Sequence, residues 1–487
     1  MPAEPTPVDA RDVRNYDDTC DVLVLGFGCA GAAAAWEAAS AGADTLILER
    51  TSESGGSSAV SGGEVYLGGG TSVQQACGFD DDAEQMTKFL LAALGPHADK
   101  DRIAAYCEGS VELFDWLVAR GVPFGSRLWD SPTWVPSDDS GLMWMGENSW
   151  PYCDLAVPAP RGHRPAQAGE CGWLLMRELM KATHEAGVRV AADSRAISLI
   201  VDDGAVVGVV ARVYGEQRIV RARRAVIVAT GGFVDNPDMV SRHAPSLLGH
   251  GAVSDGLDDG SGIVMSTAAG AAVRRMASVQ TALSLVPAMM ANGMIVNGLG
   301  RRFINEDTYP GLVSHAAVHT QPAPAWVVID EQGFESIPRR DRWGVRPTLV
   351  DDDFGALERS MGVPEGALAA TVREYNAHAA HGLDPYFHKA ARYLQPLQPP
   401  YAVIDTRTSM RREPGVGPQT GAVGFTLGGL DTDLDGRVQT WTGEAIPGLY
   451  AAGRASAAMH GNGYISGTSL GDGMFFGRRA GQSAGKS

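Results

Sequence analysis

Short apolar runs and glycine-rich breaks alternate through the first part of the chain. Val22–Leu25 is an apolar run, Gly26, Gly28 and Gly31 follow, Ala30–Ala41 is alanine-rich without a breaker, and "DTLILE" (44–49) turns apolar again. Runs of this kind bounded by glycine predict strands, and an unbroken alanine-rich stretch predicts a helix. Residues 20–50 therefore read as strand, turn, helix, strand. Later, "AISLIVDDGAVVGVVARV" (196–213) is two apolar runs around an Asp-Asp-Gly break, the pattern of a β-hairpin. "RRAVIVATGGF" (223–233) and "IPGLYAAGR" (446–454) read as buried strands that end in glycine turns. "DAEQMTKFLLAAL" (82–94) and "DRIAAYCEGSVELFDWLVARG" (101–121) carry helical spacing, and "GDGMFFGRRAG" (471–481) opens a last helix.

The first of these patterns has a chemical meaning. Gly26 allows a tight turn, Gly28 lets a pyrophosphate approach the backbone, and Gly31 lets helix and strand pack closely. Glu49, at the end of the second strand, suits the hydroxyls of an adenosine ribose and disfavours a 2′-phosphate. Strand, glycines, helix, strand and acid in that order predict a dinucleotide site. A nicotinamide dehydrogenase would continue with another helix and strand. Here "RTSESGGSSAVSGGEVYLGGG" (50–70) follows instead, a Gly/Ser segment whose backbone N–H groups and hydroxyls suit a bulky flavin. FAD is thus the expected cofactor. Its expected contacts are Gly26, Gly28, Ala30, Gly31, Glu49 and Arg50, then Gly56, Ser57, Ser58, Ser61, Gly62 and Gly63. Ala196, Thr230, Gly231, Gly453, Ser469 and Leu470 complete the set.

Bulk properties narrow the class further. At 487 residues the chain is long enough for two or three domains. A net charge of -17 disfavours nucleic acid and anionic membrane as partners. The six cysteines form no CxxC pair or regular framework, so neither a metal site nor a disulfide scaffold is indicated. No apolar run reaches membrane-spanning length, and residues 1–20 lack a signal core. A cytoplasmic location is the expectation.

Together "GGSSAVSGG", "VIVATGG", "GMIVNGLGRRFINE", "GLYAAGR" and "SGTSLGDGMFFGRRAG" resemble the flavoprotein family of fumarate reductase, succinate dehydrogenase and 3-ketosteroid dehydrogenase, from Asp21 onward. The resemblance implies an α/β fold: a Rossmann-like FAD-binding domain of the glutathione-reductase type, discontinuous, with an inserted α+β catalytic cap over the flavin ring. The expected division is 1–278 for the first part of the FAD domain, 279–399 for the cap and 400–487 for the second part. "LQPLQPPYAVID" (394–405) marks the return, because its prolines break helix. The resemblance also implies non-covalent FAD, with Ser469 and Leu470 at the pyrimidine end of the flavin.

Within the family, the dicarboxylate reductases bind carboxylates with two arginines and a histidine. This chain has Tyr309 in "RRFINEDTYPG", Tyr464 in "GYISGTSL" and Phe425 in "GFTLGG" at those places, and Ser466 where a glycine is usual. An unpaired carboxylate costs several kcal/mol to bury, so an apolar ketone fits such a site better. The Tyr309/Tyr464/Ser466 pattern resembles the 3-ketosteroid Δ4-(5α)-dehydrogenases. The Δ1-dehydrogenases differ, with Y-P-G-x-G. The resemblance implies Tyr464 as general base at the substrate α carbon, with Ser466 and Tyr309 as its proton relay. Two alternatives stay open: a flavin-dependent reductase of an enone or enoate on the same scaffold, and a non-catalytic flavin carrier. His315 and His460 read as packing or hydrogen-bonded histidines and the "RRFINE" charges as cap-stabilising; the Trp-rich segment 127–153 reads as an irregular core-facing loop or as a lid over a large apolar ligand, and "PAMMANGM" (287–294) as a candidate part of the same wall.

Overall fold

The computed structural model describes residues 6–283, 285–407 and 421–486. A nine-stranded sheet forms its base. Asp18–Leu25 lies between Thr45–Leu48 and Glu216–Val228, parallel to both. The hairpin Ser194–Asp202 and Ala205–Val213 pairs antiparallel and continues onto the outer half of Glu216–Val228. The late strand Ala445–Ala451 pairs parallel with the inner half, Leu449 opposite Val226. The strands and turns expected from the apolar runs are therefore present, and they place Gly26, Thr230 and Gly453 at the same edge. Gly26 turns there with φ +98, and a Cβ on it would stand 2.6 Å from the Ala229 carbonyl oxygen.

The helix Cys29–Ser40 packs along the C-terminal helix Thr468–Lys486. Small residues line both sides of the seam. A methyl group on Gly477 would lie 2.6 Å from the Ala30 carbonyl oxygen, and one on Gly481 would overlap that of Ala34. The last helix begins at Thr468, earlier than Gly471, so Ser469 and Leu470 occupy its first turn. The expected helix over 101–121 is two helices, Lys100–Glu108 and Ser110–Ala119. Gly109 separates them, and its Cα faces the ring of Phe475 too closely for any side chain.

A second unit sits over the sheet. Met294–Val296, Trp326–Asp330, Tyr401–Asp405 and Leu349–Asp351 form an antiparallel four-stranded sheet. The boundary expected at 399 cuts this sheet. Tyr401–Asp405 is one of its two central strands, so the return lies beyond 405. Pro399 and Pro400 stop a helix, but they stand at the entrance of a strand, a place that proline tolerates. A small sheet of Val279–Leu283, Ala422–Thr426 and Gly251–Ala252 joins the two units.

Inside the upper unit, Arg302 pairs with Glu306 at 2.7 Å and Asp384 at 2.9 Å, and Lys389 reaches Glu306 at 3.5 Å. Burial would raise the Glu306 carboxyl, but the two cations overcome it and hold it below its usual value. "PAMMANGM" is no ligand wall. Its helix Pro287–Asn292 sends Met289 and Met290 into the core of this unit. Among the described residues, no helix is long and apolar enough to cross a membrane.

The seam yields a test of opposite sign to helix propensity, which favours alanine over glycine by about 1 kcal/mol. Gly477→Ala is expected to lower stability by about 1–3 kcal/mol in denaturant unfolding, because the methyl overpacks against Ala30. Unchanged or increased stability would show that the seam is loose.

Candidate active site

One large cavity, of about 490 Å³, opens along the C-terminal edge of the parallel strands and runs under the second unit. It has two chemically distinct parts. In the first, the glycine turn, the segment 56–62, the hairpin at Ala196 and the turns at Thr230–Gly231 and Gly453 converge. All the expected cofactor residues line it except Gly31 and Gly63. Gly31 lies against the Gly26 backbone, where the helix meets the strand, and Gly63 against Cys171 and Gly172. The segment after Glu49 is more regular than a wrapping loop. It contains a helical turn, Gly56–Ala59, and a short strand, Val65–Tyr66.

The first part fits an anionic dinucleotide. Helix Cys29–Ser40 starts there with no side-chain cap at Gly28, so its N-terminal backbone dipoles face the cavity. A Cβ on Gly28 would meet only Ser58 Oγ at 3.4 Å and the Gly55 carbonyl at 3.9 Å. Protein packing does not demand glycine at this position, whereas a ligand pressed to the backbone does. Thr230 Oγ1 is buried without a hydrogen-bond partner among the described residues. The Glu49 carboxylate accepts from Phe27 N–H at 2.8 Å and from Thr51 N–H at 3.0 Å, which ties the acid to the glycine turn.

The second part is walled by the joining sheet, by loops of the upper unit and by the Trp-rich segment. Gln280, Leu283, Val423 and Phe425 come from the sheet; Trp134, Tyr309 and Trp343 come from loops. Of the Trp-rich segment, Trp134 and Val135 reach the cavity. Trp134 packs edge-on against Tyr309, with centroids 6.2 Å apart. Tyr309 Oη donates to Ser466 Oγ at 2.9 Å, so two residues that the sequence reading grouped, far apart in the chain, meet in the structure. Tyr464 lies in the same cavity, edge-on to Phe425 at 5.3 Å and tilted on His460 at 5.1 Å.

Burial raises both phenols above the ordinary tyrosine value. The Ser466 hydroxyl works against this at Tyr309, and the Ser469 N–H and Thr468 hydroxyl do so at Tyr464. His460 is fully buried, its Nε2 is 2.6 Å from Thr468 Oγ1, and burial pushes its imidazole down to about 3. It is therefore neutral. His315 stands off the cavity, its ring 4.6 Å from that of His319.

Three arginines line the cavity, and each already has an acid. Arg50 and Arg195 both meet Asp259 at 3.0 Å, and Arg454 meets Asp258 at 2.5 Å. Arg454 sat unremarked inside a recognised motif, and nothing in the local pattern singled out Asp258.

Comparison with known proteins decides the family. Residues 21–470 match the FAD binding domain family. The chain belongs to this family of FAD-binding oxidoreductases. It is 44% identical to a solved structure of 3-ketosteroid-Δ4-(5α)-dehydrogenase from Rhodococcus jostii RHA1 in complex with 4-androstene-3,17-dione, which covers 99% of this chain and 100% of that one with a TM-score of 0.94. It is 27% identical to the 3-oxo-5-alpha-steroid 4-dehydrogenase of Comamonas testosteroni, over 92% of this chain and 94% of that protein. It is also 28% identical to a fumarate reductase (cytochrome) of Shewanella frigidimarina, over 96% of this chain and 77% of that protein.

As a member of this FAD-binding family, the chain should lose its cofactor when the glycine turn is filled. Gly28→Val is expected to purify folded, with an unchanged far-ultraviolet spectrum, and to retain less than about a tenth of the wild-type flavin, since its side chain takes the place of the ligand. A fully yellow variant would place the pyrophosphate elsewhere.

Proposed function

We propose that this chain is an FAD-dependent 3-ketosteroid Δ4-(5α)-dehydrogenase, which introduces the C4–C5 double bond of a 5α-3-ketosteroid. The observation that carries this reading is the substrate half of the cavity. It offers two buried phenols and a serine hydroxyl among aromatic and aliphatic walls, while every arginine that lines the cavity is ion-paired. A dicarboxylate would meet no free cation among the described residues, whereas a steroid ketone needs none.

The chemistry demands removal of the proton α to the ketone, at C4, while the β hydrogen leaves C5. Bound FAD supplies the acceptor for that hydride. Tyr464 faces the α carbon as base. Its phenol holds its proton at rest, because burial raises it. It can therefore accept a substrate proton only as it gives up its own, and the hydrogen-bonded pair of Ser466 and Tyr309 is the path. Phe425 and His460 clamp the Tyr464 ring from two sides and fix its direction. The unit built on 279–405 serves as the cap that shields this reaction from water. FAD is held without a covalent bond.

The test is anaerobic mixing with a saturated 5α-3-ketosteroid while the flavin absorbance is followed. The wild type should bleach. Tyr464→Phe should keep its flavin and bleach about 10²–10⁴-fold more slowly, the usual weight of a positioned acid–base group. No bleaching of the wild type, with reoxidation of the reduced protein by an enone or an unsaturated acid, would make the chain a reductase instead.

A further inference from the structure

One buried acid in this cavity has no part in the scheme so far. Glu64 stands at the entrance of the strand Val65–Tyr66 and lines the cavity while only 7% exposed. Its Oε1 has no hydrogen-bond partner among the described residues. The cation that faces it, Arg164, is fully buried and stays 3.8 Å away. Arg164 turns its Nη2 instead to the Gly169 carbonyl and to Cys171 Sγ, and leaves its Nε and Nη1 without hydrogen bonds. A buried carboxyl is ordinarily paired and hydrogen-bonded, because an unpaired one is costly. Glu64 is neither well paired nor packed away from the cavity.

Its position relates it to the two tyrosines. The turn that carries Tyr464 and Ser466 ends at Gly467, which presses on the entrance of the same strand. A Cβ there would come within 2.5 Å of Tyr66 N and 3.1 Å of the Glu64 carbonyl carbon. The charge of Glu64 is felt at both phenols, where it raises Tyr309 and Tyr464 alike. Tyr309 in turn is hydrogen-bonded to Ser466.

We propose that Glu64 takes up the proton lost by the substrate. This rests on the dehydrogenase reading above. The α C–H bond breaks, its proton goes to Tyr464, and Tyr464 hands its own proton to Ser466; the Ser466 and Tyr309 hydroxyls rotate so that their hydrogen bond reverses, and a proton passes from Tyr309 to the Glu64 carboxylate, which ends as the neutral acid. The electrons of the α C–H bond form the new C=C bond, and the β hydrogen leaves with its own pair to the bound flavin. Two features suit the carboxyl to this task. Burial raises it, and Arg164 offsets this only in part while Glu170 adds to it, so it takes a proton more readily than an exposed carboxylate. Once neutral, it no longer opposes negative charge on the phenols.

The sign of the pH dependence follows. The carboxylate form is the acceptor, so the rate of flavin reduction should fall as pH falls through the raised Glu64 value. Glu64→Gln should retain flavin, be reduced by dithionite like the wild type, and be reduced by a 5α-3-ketosteroid about tenfold or more slowly, without that acidic limb. Glu64→Asp should keep the limb. If the glutamine variant loses its flavin, the wild type alone decides the matter. Reduction by the steroid should raise a protonated-carboxyl band in its infrared difference spectrum, and the absence of that band overturns the proposal. A glutamine variant with wild-type rate and wild-type acidic limb overturns it too, while leaving the dehydrogenase reading intact. A wild type that no ketosteroid reduces sinks the reading, and the proposal with it.

Discussion

The contact between helices Cys29–Ser40 and Thr468–Lys486 is the constraint on which the site depends. Their backbones approach so closely that glycine must stand opposite Ala30 and Ala34. That closeness sets the last helix parallel to the cofactor-binding helix and directs its first turn, with Ser469 and Leu470, into the cavity. The turn just before it, Tyr464–Gly467, is then pinned between the last helix and the strand Val65–Tyr66. Residues near the two ends of the chain meet at one cavity because small side chains let two helices touch.

The polar economy of the cavity follows a single rule. Arginines that line it are paired with aspartates, and the substrate half presents two phenols, a serine hydroxyl and the poorly paired Glu64 carboxyl. An ion pair such as Arg454 with Asp258 can orient a neighbouring dipole, but it offers little net charge to an incoming anion. The phenols, raised by burial, are neutral donors at rest and become useful as bases only through a path for their protons. The same low-polarity surroundings that would repel a dicarboxylate thus suit a large apolar ketone, and they make proton movement the step in which side chains matter most.

Much of this was legible in the chain. The strand–glycine–helix–strand–acid order pointed to the segments that converge on the first half of the cavity, where Gly26 and Gly31 are required by close backbone packing. Tyr309, Tyr464 and Ser466 were legible as departures from a pattern of arginines and glycine. What stayed hidden was pairing across distance. Glu64 with Arg164 and Asp258 with Arg454 join segments that share no periodicity, and each residue alone looks like an ordinary surface charge. The Met-rich stretch 287–294 was misjudged because methionine fills a core as readily as it lines a pocket. The boundary at 399 was misplaced because a proline pair signals the end of a helix but says nothing about which sheet the next strand joins.

The central claim is that two buried phenols, in place of cations, make this cavity a site for α,β-desaturation of a 3-ketosteroid. Product analysis with substrate labelled by deuterium at C4 and at C5 tests it most directly. The account predicts a C4–C5 double bond, loss of one C4 label to solvent and departure of the C5 label with the flavin. A double bond at C1–C2, or retention of both labels, would contradict it.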